Sequence, residues 1–246
     1  MGTSLKEYER SCVDYMNDRS YTRGMTTATP VTRAEDGRRA RGDASRRAVL
    51  TYATDIASVE GLDGVSIGRL AEASGHSKSS IATLFGGKEG LQLAAVNAAA
   101  EVFRARVMEP AREEPRGVRR LAALLRNALD YSRERVFSGG CFFAATAADV
   151  DSKPGPVRDA VHGWVRDWYG YLEAQLRYAV AGGELSLDAD AIEQLAFEII
   201  SLDNEANARS LIVRSDRPYV LAARAIRQRL FAAGAEPADL TALDVV

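Results

Sequence analysis

From Val49 onward, apolar positions recur at the three-and-four spacing of a helix rather than in alternation. Val49, Leu50, Ala53, Ile56 and Ala57 share one face of a segment that Gly61 ends. The same periodicity returns over roughly 89–108, 117–136, 156–181, 188–213 and 218–233. The breaks between these stretches fall at Pro110 and Pro115, at Ser138-Gly139-Gly140, at Pro154-Gly155-Pro156, at Gly182-Gly183 and at Pro218. No segment sustains the period-two pattern of a half-buried strand. The predicted class is all-α.

The chain ahead of Val49 reads differently. Residues 4–18 put Leu5, Tyr8, Cys12 and Met16 at helical spacing, which fits either a short amphipathic helix or a frayed extension. From Tyr21 to Asp43 the composition turns to Thr, Ala, Gly, Pro and Arg, which predicts an irregular arm with little to bury. Arg33, Arg38, Arg39, Arg41, Arg46 and Arg47 outnumber the acids Glu35, Asp36 and Asp43 there. Two readings stand: a solvated linker, or an arm that reaches a DNA backbone or minor groove.

The stretch SIGRLAEASGHSKSSIATLFGGKEGL carries the most information. Ser66 is placed to cap a short helix running to about Ala73, and Ser77 a second one through Thr83 or Leu84. Gly75 between them suits the left-handed conformation that a tight turn requires. Ala71 is small enough to let the second helix cross closely, while Ile81 returns an apolar side chain between the two. With Leu70 and Leu84 added, the spacing matches a helix-turn-helix. The second helix then carries Lys78, Ser79, Ser80, Ala82 and Thr83 on its other faces. Short hydroxyls and a lysine suit a major groove, where acids would be repelled by phosphates. Gly87-Lys88 opens the following helix with free N–H groups and a cation, a geometry that suits a phosphate. An ordinary helical hairpin with its hydroxyls in water has the same spacing. Arg46, Ser66, Lys78, Ser79, Ser80, Thr83 and Lys88 are the candidate DNA contacts.

Charge and composition narrow the partners. The 246 residues carry 32 Lys and Arg against 34 Asp and Glu, so a histone-like polybasic binder is excluded while a local basic patch is not. Two cysteines, Cys12 and Cys141, and two histidines, His76 and His162, are too few and too scattered for a structural zinc site or a disulfide framework. That sparseness also argues against an enzyme or metal-binding helical domain, so no catalytic residue, cofactor or metal is assigned. The amino terminus has no apolar run of signal-peptide length, and no stretch approaches about 20 apolar residues. A cytoplasmic protein without a membrane partner is expected.

The run from Ser45 to about Val96 resembles the amino-terminal domain of TetR-family transcriptional regulators. The residues that carry the likeness are Glu60-Gly61, Gly64-Val65-Ser66-Ile67, LAEASG, Ser77-Lys78, Phe85, and Lys88-Glu89 followed by Leu91. The resemblance implies a three-helix DNA-binding domain with its third helix in the major groove, followed by a larger helical domain for effector binding and dimerisation. The corresponding division is an extension and Arg-rich arm over 1–44, the helix-turn-helix domain over 45–92, and the effector domain over 93–246. The chain departs from the pattern at Ala82, Thr83 and Leu84, where family members often carry an aromatic residue and a histidine.

In the carboxy-terminal half, Gly139-Gly140 admits a close backbone approach, and Cys141, Phe142 and Phe143 are apolar and expected to be buried. No nearby base or cation is evident to activate Cys141, which reads as a small core residue. After Pro156, one stripe takes in Val157, Val161, Trp164, Trp168, Leu172, Gln175 and Ala179. Such a stripe is either plain core or, given two tryptophans and a polar Gln175, one wall of a site for a flat ligand. His162 falls off it and is expected in solvent. On the next helix the core face of Ile192, Leu195, Ala196, Ile199 and Leu202 is interrupted by Asp203, Asn204 and Asn207. Those three need partners at the surface, in a polar pocket or at a subunit interface. Cys141, Phe142, Phe143, Trp164, Trp168, Gln175, Asp203 and Asn207 are the candidate ligand contacts. The resemblance implies that the last two long helices pair across a dimer.

The expected function is that of a homodimeric repressor that binds a palindromic operator in double-stranded DNA and is released by a small molecule. The alternative is a helical interaction protein of the same fold with weakened or lost operator binding.

Overall fold

Between Pro30 and Pro110 the sequence has no proline, and nothing there forces an early helix to stop. In the computed structural model, which describes residues 33–244, the first helix, α1, runs over Arg33–Glu60. It takes in residues 33–43, where composition predicts an irregular arm. The alanines, arginines and glutamate of that stretch are strong helix formers and offset Gly37 and Gly42, each costing about 1 kcal/mol. The Leu5–Met16 stripe with Cys12, the rest of the arm before residue 33, and the side chains of Arg33, Arg38, Arg39 and Arg41 lie outside the described residues.

Eight further helices follow: α2 Ile67–Ser74, α3 Lys78–Phe85, α4 Lys88–Phe103, α5 Val118–Arg133, α6 Phe142–Val150, α7 Pro156–Ala181, α8 Ala189–Val213 and α9 Arg217–Ala232. Among the described residues there is no strand, so the class is all-α as the periodicity predicts. Past Phe103, α4 loosens into a π-helical stretch, Arg104–Met108, before a last turn at Glu109–Ala111. Pro110 has no N–H to give and its ring crowds the carbonyl four residues back, and the wider turn relieves both. A 3-10 segment, Pro237–Leu243, follows α9 with Leu240 and Leu243 fully buried against α5, and no periodic signal announced it.

The packing places the regions that matter. Helix α1 rests on α2, α4 and α6, α7 contacts α4, α5, α6 and α8, and α8 pairs with α9. One continuous apolar cluster runs from Val49 in α1 to Leu243, so the helix pair at 67–85 and the larger bundle share a core. Gly139 lies hard against the backbone of α1. A Cβ there would fall 1.9 Å from the Ser58 carbonyl oxygen in α1, so only glycine fits, as the Gly139-Gly140 pair suggests.

Candidate functional site

The α2–α3 pair is built by its own caps. The Ser66 Oγ accepts from the Arg69 N–H at 3.3 Å, and the Ser77 Oγ accepts from the Ser80 N–H at 3.1 Å. Each hydroxyl satisfies a donor that a helix start leaves free. Gly75 ends α2 with φ 70 and ψ 10, the left-handed turn expected of it. Ile81 and Leu70 are fully buried between the helices, with Ala71 and Leu84 half-buried beside them. His76 sits half-buried at the corner, its Nδ1 3.1 Å from the Ser74 carbonyl oxygen.

Lys78, Ser79, Ser80 and Thr83 are all exposed on α3, and Lys88 is exposed at the first turn of α4. The Thr83 hydroxyl donates back to the Ser79 carbonyl at 2.9 Å, which leaves its methyl and an acceptor lone pair outward. Two of the candidate DNA contacts are placed otherwise. Ser66 is half-buried and its oxygen is engaged in the cap. Arg46 turns inward: its Nη1 donates to the Leu84 carbonyl at 2.7 Å and its guanidinium lies 4.5 Å from the centre of the Phe85 ring. It ties α1 to the carboxy-terminal end of α3, so it positions the helix pair rather than extending toward a partner.

A cavity of about 900 Å³ opens between α1, α6, α7 and α8. Six of the eight candidate ligand residues line it: Cys141, Phe143, Trp164, Trp168, Asp203 and Asn207. Phe142 and Gln175 do not. Neighbouring residues on a helix point about 100° apart, so with Phe143 toward the cavity Phe142 is fully buried in the core. Gln175 stands two turns beyond Trp168, where the stripe has left the cavity for the interior. Its Oε1 has no hydrogen-bond partner there. Asn204, which with Asp203 and Asn207 interrupts the α8 core face, also lines the cavity. Asn207 is buried, Asp203 half-buried and Asn204 exposed, and all three border the cavity. His162 is half-buried rather than in open solvent.

The aromatic wall is ordered. Phe143 and Trp164 are stacked with centroids 3.5 Å apart and planes 3° from parallel, and Trp168 continues the series at 6.4 Å. Phe103 of α4 packs edge-on against both tryptophans. The cavity lining also includes a polar group centred on Asn207, whose Oδ1 accepts from the Cys141 N–H and the Tyr219 hydroxyl, each at 3.3 Å. The Arg135 guanidinium closes the group through Ser210 and Tyr219. Burial pushes the Cys141 thiol up to about 12, with Asp203 nearby adding to the effect, so the sulfur stays protonated and unreactive. Burial likewise pushes the Asp203 carboxyl up to about 7. Part of that residue is open to the cavity, but its Oδ1 is enclosed and has no partner.

Residue-by-residue reading missed the fourth wall. Ser58, Val59, Glu60 and Gly61, the end of α1, border the cavity together with Asp149 at the end of α6. The Asp149 Oδ2 accepts from the Leu62 N–H at 2.8 Å, and Lys153 bridges Asp149 at 2.6 Å and Asp63 at 2.9 Å. Gln92 of α4 donates to the Leu62 carbonyl at 2.7 Å. The segment that leads from α1 into α2 is therefore held from both sides. One side is a helix whose other end, at Cys141–Phe143, forms part of the same cavity. The only sequence signal for this junction is the Glu60-Gly61 break.

The outer face of α8 and α9 is apolar. Phe197, Leu211, Ile212, Val213, Leu221 and Phe231 are all exposed, Ile212 by 81%. Among the described residues no three His, Cys, Asp or Glu side chains gather as a metal site, and no helix is long and apolar enough to cross a membrane.

Residues 117–226 match the family described as Tetracyclin repressor-like, C-terminal domain. The HTH-type transcriptional regulator LmrA of Bacillus subtilis (strain 168) is 26% identical over 184 residues, covering 72% of this chain and 96% of that protein. A TetR transcriptional regulator from Chloroflexus aurantiacus J-10-fl superposes with a TM-score of 0.69 at 26% identity, over 78% of this chain and 94% of that one. The fold is also that of AibR, solved in complex with isovaleryl coenzyme A and operator DNA, with a TM-score of 0.56 at 18% identity over 67% and 86% of the two chains.

Proposed function

Because the chain belongs to the TetR family of transcriptional regulators, we propose that it is a cytoplasmic homodimeric repressor, not an enzyme, that binds a palindromic operator and is released from it by a small molecule. In this reading residues 45–92 bind DNA, residues 93–246 bind the effector and the second copy, and α3 enters the major groove. Lys78 and Lys88 meet phosphates there, and Ser79, Ser80 and Thr83 meet base edges or sugars. The exposed apolar face of α8 and α9 is covered by the second copy, which sets two recognition helices on successive turns of a two-fold symmetric site.

The observation that carries the reading is the shared wall of the cavity. A molecule seated against Phe143 and Trp164 also touches the Ser58–Gly61 end of α1, next to the Leu62 N–H that Asp149 holds. Displacing α6 or the end of α1 moves the helix pair as a body, because Arg46 fastens α1 to α3. Release requires that the effector bind the DNA-incompetent arrangement better than the competent one, since only that difference shifts the equilibrium.

The test is a mobility shift on the duplex upstream of the chain's own gene, paired with light scattering on the free protein. The expected result is a dimer that retards one duplex containing an inverted repeat and ignores a scrambled one. A dimer that retards neither would favour the interaction-protein alternative, to which the missing aromatic at Ala82 and Thr83 points. A monomer would remove the proposed use of the α8–α9 face.

A further inference from the structure

The cavity has a one-sided charge pattern. Four carboxylates line it, Glu60, Asp149, Asp203 and Glu205, and no lysine, arginine or histidine does. Two of the four are already matched, Glu60 by Arg69 and Asp149 by Lys153. Asp203 is not. Its Oδ1 has no hydrogen-bond partner, and the titratable groups that sense its charge, Tyr131 from α5, Cys141 ahead of α6 and Tyr219 from α9, are neutral near pH 7. The Arg135 guanidinium in that quarter bonds Ser210 and Tyr219 instead. The rings of Phe143, Trp164 and Trp168 border the same cavity, and tryptophan attracts cations more strongly than other aromatic residues do.

We propose that the effector is a small organic cation, with a flat, mostly apolar body against Trp164 and Trp168 and a protonated amine that pairs with Asp203. The inference rests on this cavity being the effector site of the regulator proposed above. An anionic ligand would bring its charge into a cavity whose lining offers carboxylates and no cation, an unpaired burial that is strongly unfavourable. A neutral ligand could satisfy the Asp203 oxygen with a hydrogen bond but would forgo the attraction of the rings. An amine gains both, and as a cation it draws the carboxyl, which burial holds at about 7, into its ionised form.

Three probes of one shape test this on the full-length protein by calorimetry at about pH 8, where the amine is protonated and Asp203 ionised. They are 2-(2-naphthyl)ethylamine, its neutral N-acetyl derivative, and 2-naphthylacetate. The amine should bind at least about tenfold more tightly than either of the others. Asp203→Asn, which removes a buried charge and so does not threaten folding, should abolish that preference, with the amine losing more affinity than the amide. Trp168→Phe, which keeps the wall, should weaken all three while preserving their order. Both tryptophans of the chain line the cavity, so a change in tryptophan emission on binding locates the probe there. Binding of the naphthylacetate as tight as the amine, an amine preference that survives Asp203→Asn, or no binding by any probe would overturn the proposal. Operator binding measured in the same samples separates the two claims. An amine that binds through Asp203 without lowering operator affinity overturns release and upholds the ligand class. Release by the naphthylacetate alone upholds the regulator and overturns the class.

Discussion

Between Ser66 and Gly86 the hydroxyls of Ser66, Ser74, Ser77 and Thr83 each bond within four residues of themselves, while around the cavity Trp164 Nε1 and Asp203 Oδ1 bond to nothing. Both regions rest on the same apolar cluster, so the difference is not one of core. It lies in where polar groups find partners. The helix pair completes its caps from its own short sequence and takes further bonds from α1 through Arg46 and Glu60. The cavity carries enclosed polar atoms, each costing about 1–3 kcal/mol while unpartnered. A surface that presents fixed groups to a regular partner and a pocket that gains by being filled are opposite solutions, and one chain joins them through α1 and α6.

The largest effect should come from the shared core, where the two regions fail together. Ile81 is fully buried between α2 and α3, and truncation to alanine should cost about 2–5 kcal/mol in a denaturant titration, with DNA binding lost in step. A folded Ile81→Ala protein that still retards the operator would show that the helix pair does not depend on that contact.

Asp203 should have the next largest effect, with the opposite sign. Its carboxyl is raised to about 7 in the folded protein from an ordinary 3.8. The folded state therefore binds the proton more tightly, and the stability this gives is complete below about pH 4 and lost as pH rises toward 7. Asp203→Asn should remove that dependence, so the variant gains on the parent as pH rises, by up to about 4 kcal/mol above pH 7. Parallel curves of stability against pH for the two proteins would mean that the carboxyl is solvated and the cavity less demanding than its geometry implies.

This contrast also explains what could be read from the sequence. Ser66, Gly75, Ser77 and Ile81 act over distances of three to ten residues, so spacing alone located the turn and both caps. The aromatic wall was half legible. Trp164 and Trp168 follow from the α7 stripe, yet the same stripe suggested Gln175, because periodicity reports a face and not how far along it the cavity reaches. Phe142 and Phe143 were indistinguishable until the start of α6 fixed which one faces inward. Arg46 belonged to a charge run that pointed to DNA, and only the docking of α1 on α3 shows its guanidinium engaged with Leu84 and Phe85. Ser58–Gly61, Asp149 and Leu62 meet across about ninety residues of chain, and nothing local marks that meeting.

A smaller effect should come from the caps themselves. Ser77→Ala removes the acceptor for the Ser80 N–H at the start of an eight-residue helix and should cost about 1 kcal/mol. If the helix pair is as self-contained as its caps suggest, operator affinity should fall while probe binding in the cavity stays the same. Equal losses at both places would mean that the two regions are coupled even in the absence of a ligand.

The smallest effect distinguishes a side chain that touches DNA from one that holds the reader in place. Lys78 is exposed on α3 and Arg46 is tied to Leu84 and Phe85, yet both are cations within one short region. Neutralising a phosphate contact lowers the slope of log affinity against log salt by about 0.9, or about 1.8 for the two copies of the proposed dimer. Lys78→Ala should show that drop with only a modest loss of affinity at physiological salt. Arg46→Ala should weaken binding through a displaced α3 and leave the slope unchanged, because no counterion is released at a guanidinium that faces inward. The measurement is operator affinity across a salt series for each variant. A slope that falls for Arg46→Ala and holds for Lys78→Ala would exchange their roles and turn α3 away from the groove.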